Sequence, residues 1–317
     1  MATASALTNY FSAPGTLMKE NFGDVLDERF AFVKERTWQE PIQGLDFWQQ
    51  RDTDKDTERH SYITSTGIAP KNRDVDSMPL ANKIQGFDNS YTPEVYRLAI
   101  QVERRLRETD MFNVIDKRMA DLNQSARDTI ELYAALPFNT AFATTVAWVC
   151  ADGMNLVDSD RNREDTAAGT WGNEETASSL TQSSVGTMRL NFRKNTNERG
   201  RVRPIHMQQV IIPPDLEDTA ITELGSAQKP GSALNDKNFL TEYNLSYRVW
   251  DYLTSTTAYF GSGPKDSLYE LFWYWGKRPE SQSFDVAGNP DVWATRMRMV
   301  YVTGADRPHS IRGNAGA

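Results

Sequence analysis

Between Asp110 and Pro137 the apolar residues Phe112, Ile115, Met119, Leu122, Ala126, Ile130 and Tyr133 recur at intervals of three and four. That spacing gathers them into one stripe of an α-helix. Asp110 is the expected N-cap. Pro137 is the expected stop, because proline brings no N–H to the ladder and its ring crowds the carbonyl four residues back. About 27 residues at 1.5 Å each make a rod roughly 40 Å long. The other face, with Asp116, Lys117, Asp121, Gln124, Arg127, Asp128 and Glu131, is polar, so the helix should lie along a surface with its stripe in the core.

The segments around this rod differ in character. Residues 1–58 scatter aromatics (Tyr10, Phe11, Phe22, Phe30, Phe32, Trp38, Phe47, Trp48) among charges, with a short helical pattern from Phe22 to Val33. They read either as an arm crossing a neighbour's surface or as an extension docked on the core. From Arg59 to Thr92 the chain is polar, with turn signals at Gly67, Pro70, Gly86 and Pro93. Then Tyr96, Leu98, Ile100 and Val102 alternate with Arg97, Gln101 and Glu103, which is strand period. A polar excursion of this length inside a compact domain tends to be functional.

The second half mixes elements. After a loop at 151–178 rich in Gly, Asp, Asn and Thr, LTQSSVGTMRLNFRK reads as a helix capped by Thr181 or Ser179. Val210, Ile211 and Ile212 form a buried strand, and a Pro-Asp start leads into a short helix with Gly225 as its stop. Strand-like runs YNLSYRVW, TAYFG, LYELFWYWG and TRMRMVYVT follow; in the last, Arg296 and Arg298 alternate with Met297, Met299 and Tyr301. This irregular order of strands and helices predicts an α+β fold without internal repeats.

Composition removes several functions. With 35 Lys+Arg against 43 Asp+Glu the net charge is −8, which does not suit a basic nucleic-acid clamp. One cysteine closes no internal disulfide, and the most apolar stretch, residues 141–150, is half the length of a membrane helix. The opening MATASALTNYFSAPG lacks a basic and then apolar leader, so no secretion signal is expected. Eight Trp, twelve Tyr and fourteen Phe in a chain of mean hydropathy −0.61 point to large contact surfaces.

No catalytic, cofactor or metal constellation emerges, and none is expected. GSGPKDS at 261–267 lacks the phosphate-loop spacing and reads as a turn between strands. The acidic runs Asp52, Asp54, Asp56 and Asp158, Asp160, Asn162 lack the Gly and Glu that a calcium loop requires at its sixth and twelfth positions. His60, His206 and His309 stand singly, and Cys150, at the end of an apolar run, reads as a buried small side chain. Charge is locally segregated, with net +5 at 189–203 and net −5 at 152–175. Such segments are either solvated faces or complementary surfaces for another copy, with a polyanion site at 189–203 as a third reading.

The order of elements, from arm through polar excursion, spine helix and loop-rich α+β region to an arginine-bearing C-terminal strand, resembles the major capsid proteins of tailed double-stranded DNA bacteriophages, the Hong Kong 97-like fold. The likeness runs from about Thr37 to Gly313. It is best in SLTQSSVGTMRLNFRKNTNERGRVRPIHMQQVIIPPDLEDTAITEL, in YRVWDYLTSTTAYFG and in TRMRMVYVTGADRP.

The resemblance implies an N-terminal arm at 1–58, an E-loop reaching over an adjacent subunit at 59–103, and a P-domain spine at 104–140. It further implies an A-domain at 141–285 and a strand at 286–317 returning to the P-domain. It implies a structural, non-enzymatic virion protein assembled in the host cytoplasm into hexamers and pentamers of an icosahedral shell around DNA, which is held only as non-specific cargo. Scaffolding, portal and cement or decoration proteins would be its partners, without any membrane. A cellular nanocompartment shell of the same fold is the near alternative, and an unrelated α+β hydrolase or binding protein the distant one. Trp38, Trp48, Trp273 and Trp275 are candidate anchors for either core or interface.

Overall fold

The helical stripe closes as its spacing requires. In the computed structural model, which describes residues 42–66, 68–69, 71–72, 78, 80, 83–103, 114–143, 148–228, 236–264, 271–285 and 291–317, strands β1 (Gln49–Asp52), β2 (Glu58–Ile63), β3 (Gln85–Tyr91) and β4 (Glu94–Glu103) precede helix α1 (Val114–Asn139). Three two-residue strands follow, β5 (Arg161–Asn162), β6 (Thr170–Trp171) and β7 (Glu174–Glu175), and then α2 (Gln182–Arg193), β8 (Gln209–Ile212) and α3 (Glu217–Gly225). The chain ends with β9 (Ser246–Val249), β10 (Tyr259–Ser262), β11 (Leu271–Asp285), β12 (Val292–Ala305) and β13 (Ile311–Asn314). No described helix is long and apolar enough to cross a membrane.

The described chain divides into two compact units, one built from residues 94–130 and 277–301 and the other from 43–93, 131–276 and 302–317. In the first, the strand order is β11-β12-β4, and β12 pairs antiparallel with β4 over ten residues from Val292↔Glu103 to Tyr301↔Glu94. The alternating run expected to be the second limb of the polar excursion is therefore β4, and its partner is β12; β2 pairs with β3 instead. Met297, Met299 and Tyr301 are buried on one face of β12, as their alternation predicts. Tyr96 stacks on Tyr301 at 4.4 Å. Arg298 stands opposite Arg97, a repulsive cross-strand pair, and its guanidinium reaches Glu280 Oε1 on β11 at 3.4 Å.

The stripe of α1 is buried at Ile115, Met119, Leu122, Ala126 and Ile130, each worth about 1.5–3 kcal/mol where the side chain is large. Three details differ from expectation. The proposed cap Asp110 and Phe112 lie outside the described residues. The stripe continues through Ala134 and Phe138 at a spacing of four, leaving Tyr133 exposed, while Arg127 and Glu131 of the polar face are buried. Pro137 does not stop the helix, which runs to Asn139 with Thr140 N–H donating to Leu136 O at 3.0 Å. A proline two residues from the end forfeits one ladder bond only, and the last turn survives around it.

In the second unit, a five-stranded mixed sheet runs β7-β13-β10-β8-β9. Strand β8 lies between β10 (antiparallel) and β9 (parallel). Val210, Ile211 and Ile212 are all fully buried, the signature of a strand covered on both faces. Helices α2 and α3 supply Val185, Met188, Phe192, Ala220 and Leu224 to the core that packs with Val210 and Ile212. Thr181 caps α2 in a reciprocal box with Ser184, as its sequence predicts, and Gly225 ends α3. Gly261 and Ser262 belong to β10 rather than to a turn, and residues 265–267 of that motif lie outside the described residues.

The described end of the N-terminal segment is packed into this unit. Leu45, Phe47 and Trp48 are buried, and β1 pairs in parallel with β11 from Gln49↔Phe272 to Asp52↔Trp275. Trp48, Trp273 and Trp275 are therefore core residues of the monomer; Trp38 and the helical pattern at 22–33 lie outside the described residues. The segment is tied down by Glu131, whose carboxylate accepts from the backbone N–H of Gln43, from that of Gly44 at 2.8 Å and from Trp250 Nε1 at 3.3 Å. Gly44 is required by this approach, since a Cβ there would sit 2.7 Å from both Glu131 Oε2 and Ala134 Cβ.

Replacing Glu131 with Ala leaves three donors unpaired, two of them buried, and is expected to lower the unfolding free energy by about 2–5 kcal/mol. Glu131→Gln, which keeps one acceptor, should cost less. Urea titration reads both, and an unchanged midpoint for Glu131→Ala would contradict this role.

Candidate interaction surfaces

The polar excursion is a β-hairpin whose neck is fixed by polar contacts and beyond which three apolar side chains are exposed among the described residues. Strands β2 and β3 pair antiparallel from Glu58↔Tyr91 to Ile63↔Gln85, with an irregularity between Ser61 and Ile63. Beyond them Thr64 closes the neck twice: its N–H donates to Ile84 O at 2.9 Å, and its hydroxyl accepts from Ile84 N at 3.0 Å. Past that closure Ile68, Met78 and Leu80 are exposed, the last at 93%.

Two polar clusters clamp the hairpin to the body of its own unit. In the first, Glu198 Oε1 accepts from Ser65 N at 2.7 Å and from Tyr62 OH at 3.1 Å, Arg199 Nη2 donates to Thr64 Oγ1 at 3.3 Å, and the Arg307 guanidinium lies 3.5 Å from the Tyr62 ring centroid. In the second, His60 bridges Asp306 Oδ2 at 2.7 Å and Tyr274 OH at 3.0 Å, while Tyr91 OH donates to Asp306 Oδ1 at 2.8 Å. Burial, with the adjacent Asp306 charge, pushes the Tyr91 hydroxyl well above its ordinary pKa, so it stays a donor. Gly304 makes room, because a Cβ would come within 2.5 Å of the Tyr91 and Phe272 rings. Nothing in the local sequence marks His60, Tyr91 and Asp306 as partners; they are far apart along the chain and meet only through the sheet.

The two charged segments find each other within the chain. Arg163 of the acidic loop donates to Thr196 Oγ1 at 2.7 Å and to Asn197 O in the basic segment. Arg161, fully buried, holds Asp152 through two bonds at 2.8 and 2.9 Å, and Arg312 pairs with Glu175. Of the acids in this loop, Asp152 and Glu175 are thus paired within the chain. On the basic side Arg193 and Lys194 remain exposed.

The remaining candidates for chemistry are structural. Cys150 is buried, its thiol pushed up to about 12 by burial, and its Sγ points to Asn155 O at 3.7 Å. His309 is buried against Trp171 with ring centroids 3.7 Å apart, and burial with nearby Arg307 holds its pKa well below the ordinary value. His206 meets the Arg193 guanidinium at 2.9 Å on the surface. Among the described residues no group of three His, Cys, Asp or Glu converges as metal ligands would.

In the first unit, a groove of about 380 Å³ opens between α1 (Leu122, Ser125, Ala126, Thr129) and the strands, lined by Val95, Leu98, Met297 and Met299. Val95 and Leu98 are both more than half exposed. Apolar surface is therefore open at the hairpin end and along β4.

Comparison with known families and structures gives this arrangement a context. A family model described as phage capsid protein matches residues 88–312. No curated sequence matches the chain. A solved structure from Microbacterium phage Oxtober96 aligns at TM-score 0.56 and 8% identity, covering 88% of this chain and 92% of the other. The capsid of Ralstonia phage GP4 aligns at TM-score 0.56 and 10% identity over 84% and 86% of the two chains. A virus-like particle from Pyrococcus furiosus aligns at TM-score 0.53 and 8% identity, covering 91% and 99%. At such identities these structures establish a shared fold.

The clamp responds to acid. Burial would raise the Glu198 carboxyl, but the hydrogen bonds from Ser65 and Tyr62 outweigh it and hold the pKa below its ordinary 4.5. A carboxyl held low in the folded state contributes stability that is complete above the unfolded pKa and is lost as pH falls through the folded one. The protection of the Ser65 amide, its exchange rate relative to an unstructured peptide at the same pH, should therefore be independent of this group at neutral pH and fall as the pH drops below 4.5. Glu198→Gln should flatten that dependence; an unaltered profile in the variant would rule Glu198 out as its source.

Proposed function

This chain belongs to the phage capsid protein family, a structural major capsid protein with the Hong Kong 97-like fold, and from that premise we propose how its parts build an icosahedral shell. Residues 1–58 serve as the N-terminal arm, 59–103 as the E-loop, 104–140 as the P-domain spine, 141–285 as the A-domain and 286–317 as the returning strand. The observation that carries this reading is the hairpin: its neck is closed by Thr64 and Ile84, and its far end offers Ile68, Met78 and Leu80 to a partner. A side chain exposed in the monomer and covered in the shell converts apolar area into assembly energy at about 25 cal/mol per Å², before ordering costs.

Hexamers and pentamers of one subunit enclose double-stranded DNA, and the subunit does no bond chemistry. The net charge of −8 suits a wall around DNA, because a basic lining would hold the genome and resist its movement. Assembly takes place in the host cytoplasm, with scaffolding, portal and cement or decoration proteins as separate partners. A nanocompartment is the second reading, favoured by the likeness to the virus-like particle; DNA inside particles recovered from infected cells would decide against it.

Electron microscopy of purified protein should show rings or shells; a strictly monomeric 35.9 kDa species would overturn the proposal. Replacing residues 65–83 with a short turn should leave a folded monomer, because the Thr64–Ile84 closure can still form, yet abolish shells. Unfolding of that variant would count against the hairpin as an assembly element.

A further inference from the structure

The second unit carries an apolar groove and an acidic helix face that point in nearly opposite directions. The groove, of about 540 Å³, lies beside α2 and the turn at 239–243 and is lined by Thr187, Arg189, Leu190, Phe239, Tyr243 and Glu223. Leu190, Phe239 and Tyr243 are exposed. The Arg189 guanidinium sits 3.3 Å from the Tyr243 ring centroid, which fixes the groove wall. Glu223 is already committed, its Oε2 accepting from Gln182 N at 2.7 Å. At the C-terminal end of α2, Arg193 and Lys194 are exposed, and among the described residues neither enters an ion pair.

Helix α3 presents the complement. Asp215, Glu217 and Asp218 are exposed, none enters an ion pair among the described residues, and Ile221 stands open beside them at 49%. At about 100° per residue, the exposed set Glu217, Asp218, Ile221 and Thr222 centres about 170° from Glu223, the residue by which α3 lines the groove. One copy therefore offers the groove on one side of α3 and the acidic face on the other. Self-complementary surfaces placed on different sides make a head-to-tail contact, the type that closes rings.

Resting on the shell reading above, we propose that the groove along α2 receives the acidic face of α3 from a second copy. Ile221 packs against Leu190, Phe239 and Tyr243, and Glu217 and Asp218 pair with Arg193 and Lys194. Aromatic and arginine side chains in a concave patch are the residue types that anchor interfaces, and the opposite charges set register and direction. Helix-dipole compensation accounts for acids at the start of α3 and bases at the end of α2. It does not account for an open apolar side chain within each charged patch or for the groove between α2 and the aromatic turn.

Charge reversal tests this. Glu217→Lys with Asp218→Lys, or Arg193→Glu with Lys194→Glu, places like charges across the contact, and each double variant should lose rings and shells about tenfold or more in electron micrographs while keeping the parent's circular dichroism. All four substitutions in one chain should restore closed shells. An equal mixture of the two double variants should give six-membered rings only, since alternation closes in even numbers. Both double variants assembling like the parent would overturn the docking and leave the shell reading intact, whereas a parent that forms neither rings nor shells would overturn the shell reading itself. Should a variant misfold, Leu190→Cys with Ile221→Cys decides: oxidised shells should yield a ladder of crosslinked subunits, and a purely monomeric band would overturn the contact. Cys150 is buried and does not compete.

Discussion

A single buried carboxylate organises the second unit. Glu131 sits near the C-terminal end of α1, where burying an isolated charge would cost several kcal/mol. It is kept there by two backbone N–H groups at Gln43 and Gly44 and by the Trp250 indole. Those bonds bring together the helix, the turn before β1 and the residue after β9. Around them Phe47, Phe138 and Trp250 pack with ring centroids 4.9–6.3 Å apart, and Phe138 meets Phe260 of β10 edge-on at 5.2 Å. The polar anchor sets where the aromatic cluster forms, and the cluster keeps water from the anchor.

The hairpin divides its labour in the opposite sense. Its neck is held by hydrogen bonds and charges from Glu198, Arg199, Asp306 and Arg307, while its far end keeps Ile68, Met78 and Leu80 in solvent. Polar clamps are directional and depend on exact geometry, so they fix the base without demanding that the whole excursion be buried. Apolar contact is non-directional and tolerates small changes of angle.

Much of the fold was legible in the chain. The stripe Ile115, Met119, Leu122, Ala126, Ile130 predicted α1, the Thr181 cap predicted the start of α2, and the alternation of Arg296 and Arg298 with Met297, Met299 and Tyr301 predicted the buried face of β12. Each of these signals is local, because helix and strand periods repeat within a few residues. The misreadings were of another kind. Tyr133, assigned to the stripe, is exposed, and Glu131, assigned to the polar face, is buried. Which side chain is covered at the end of a rod depends on what packs there, here Gly44 and Trp250.

The interaction surfaces follow the same divide. From the sequence alone came the fold class, the family likeness, the absence of a catalytic signature and the presence of a polar excursion. Composition and period carry the fold class and the excursion because they are sums over neighbouring residues, whereas the family likeness is a resemblance in the order of the elements along the chain. Only the tertiary structure decided that Arg163 of the acidic loop donates to Thr196 of the basic segment, that His60 and Tyr91 converge on Asp306, and that α3 turns Glu217 and Asp218 away from the groove its Glu223 helps to line. Such pairings join residues tens to hundreds of positions apart, and no local pattern encodes a distance between them.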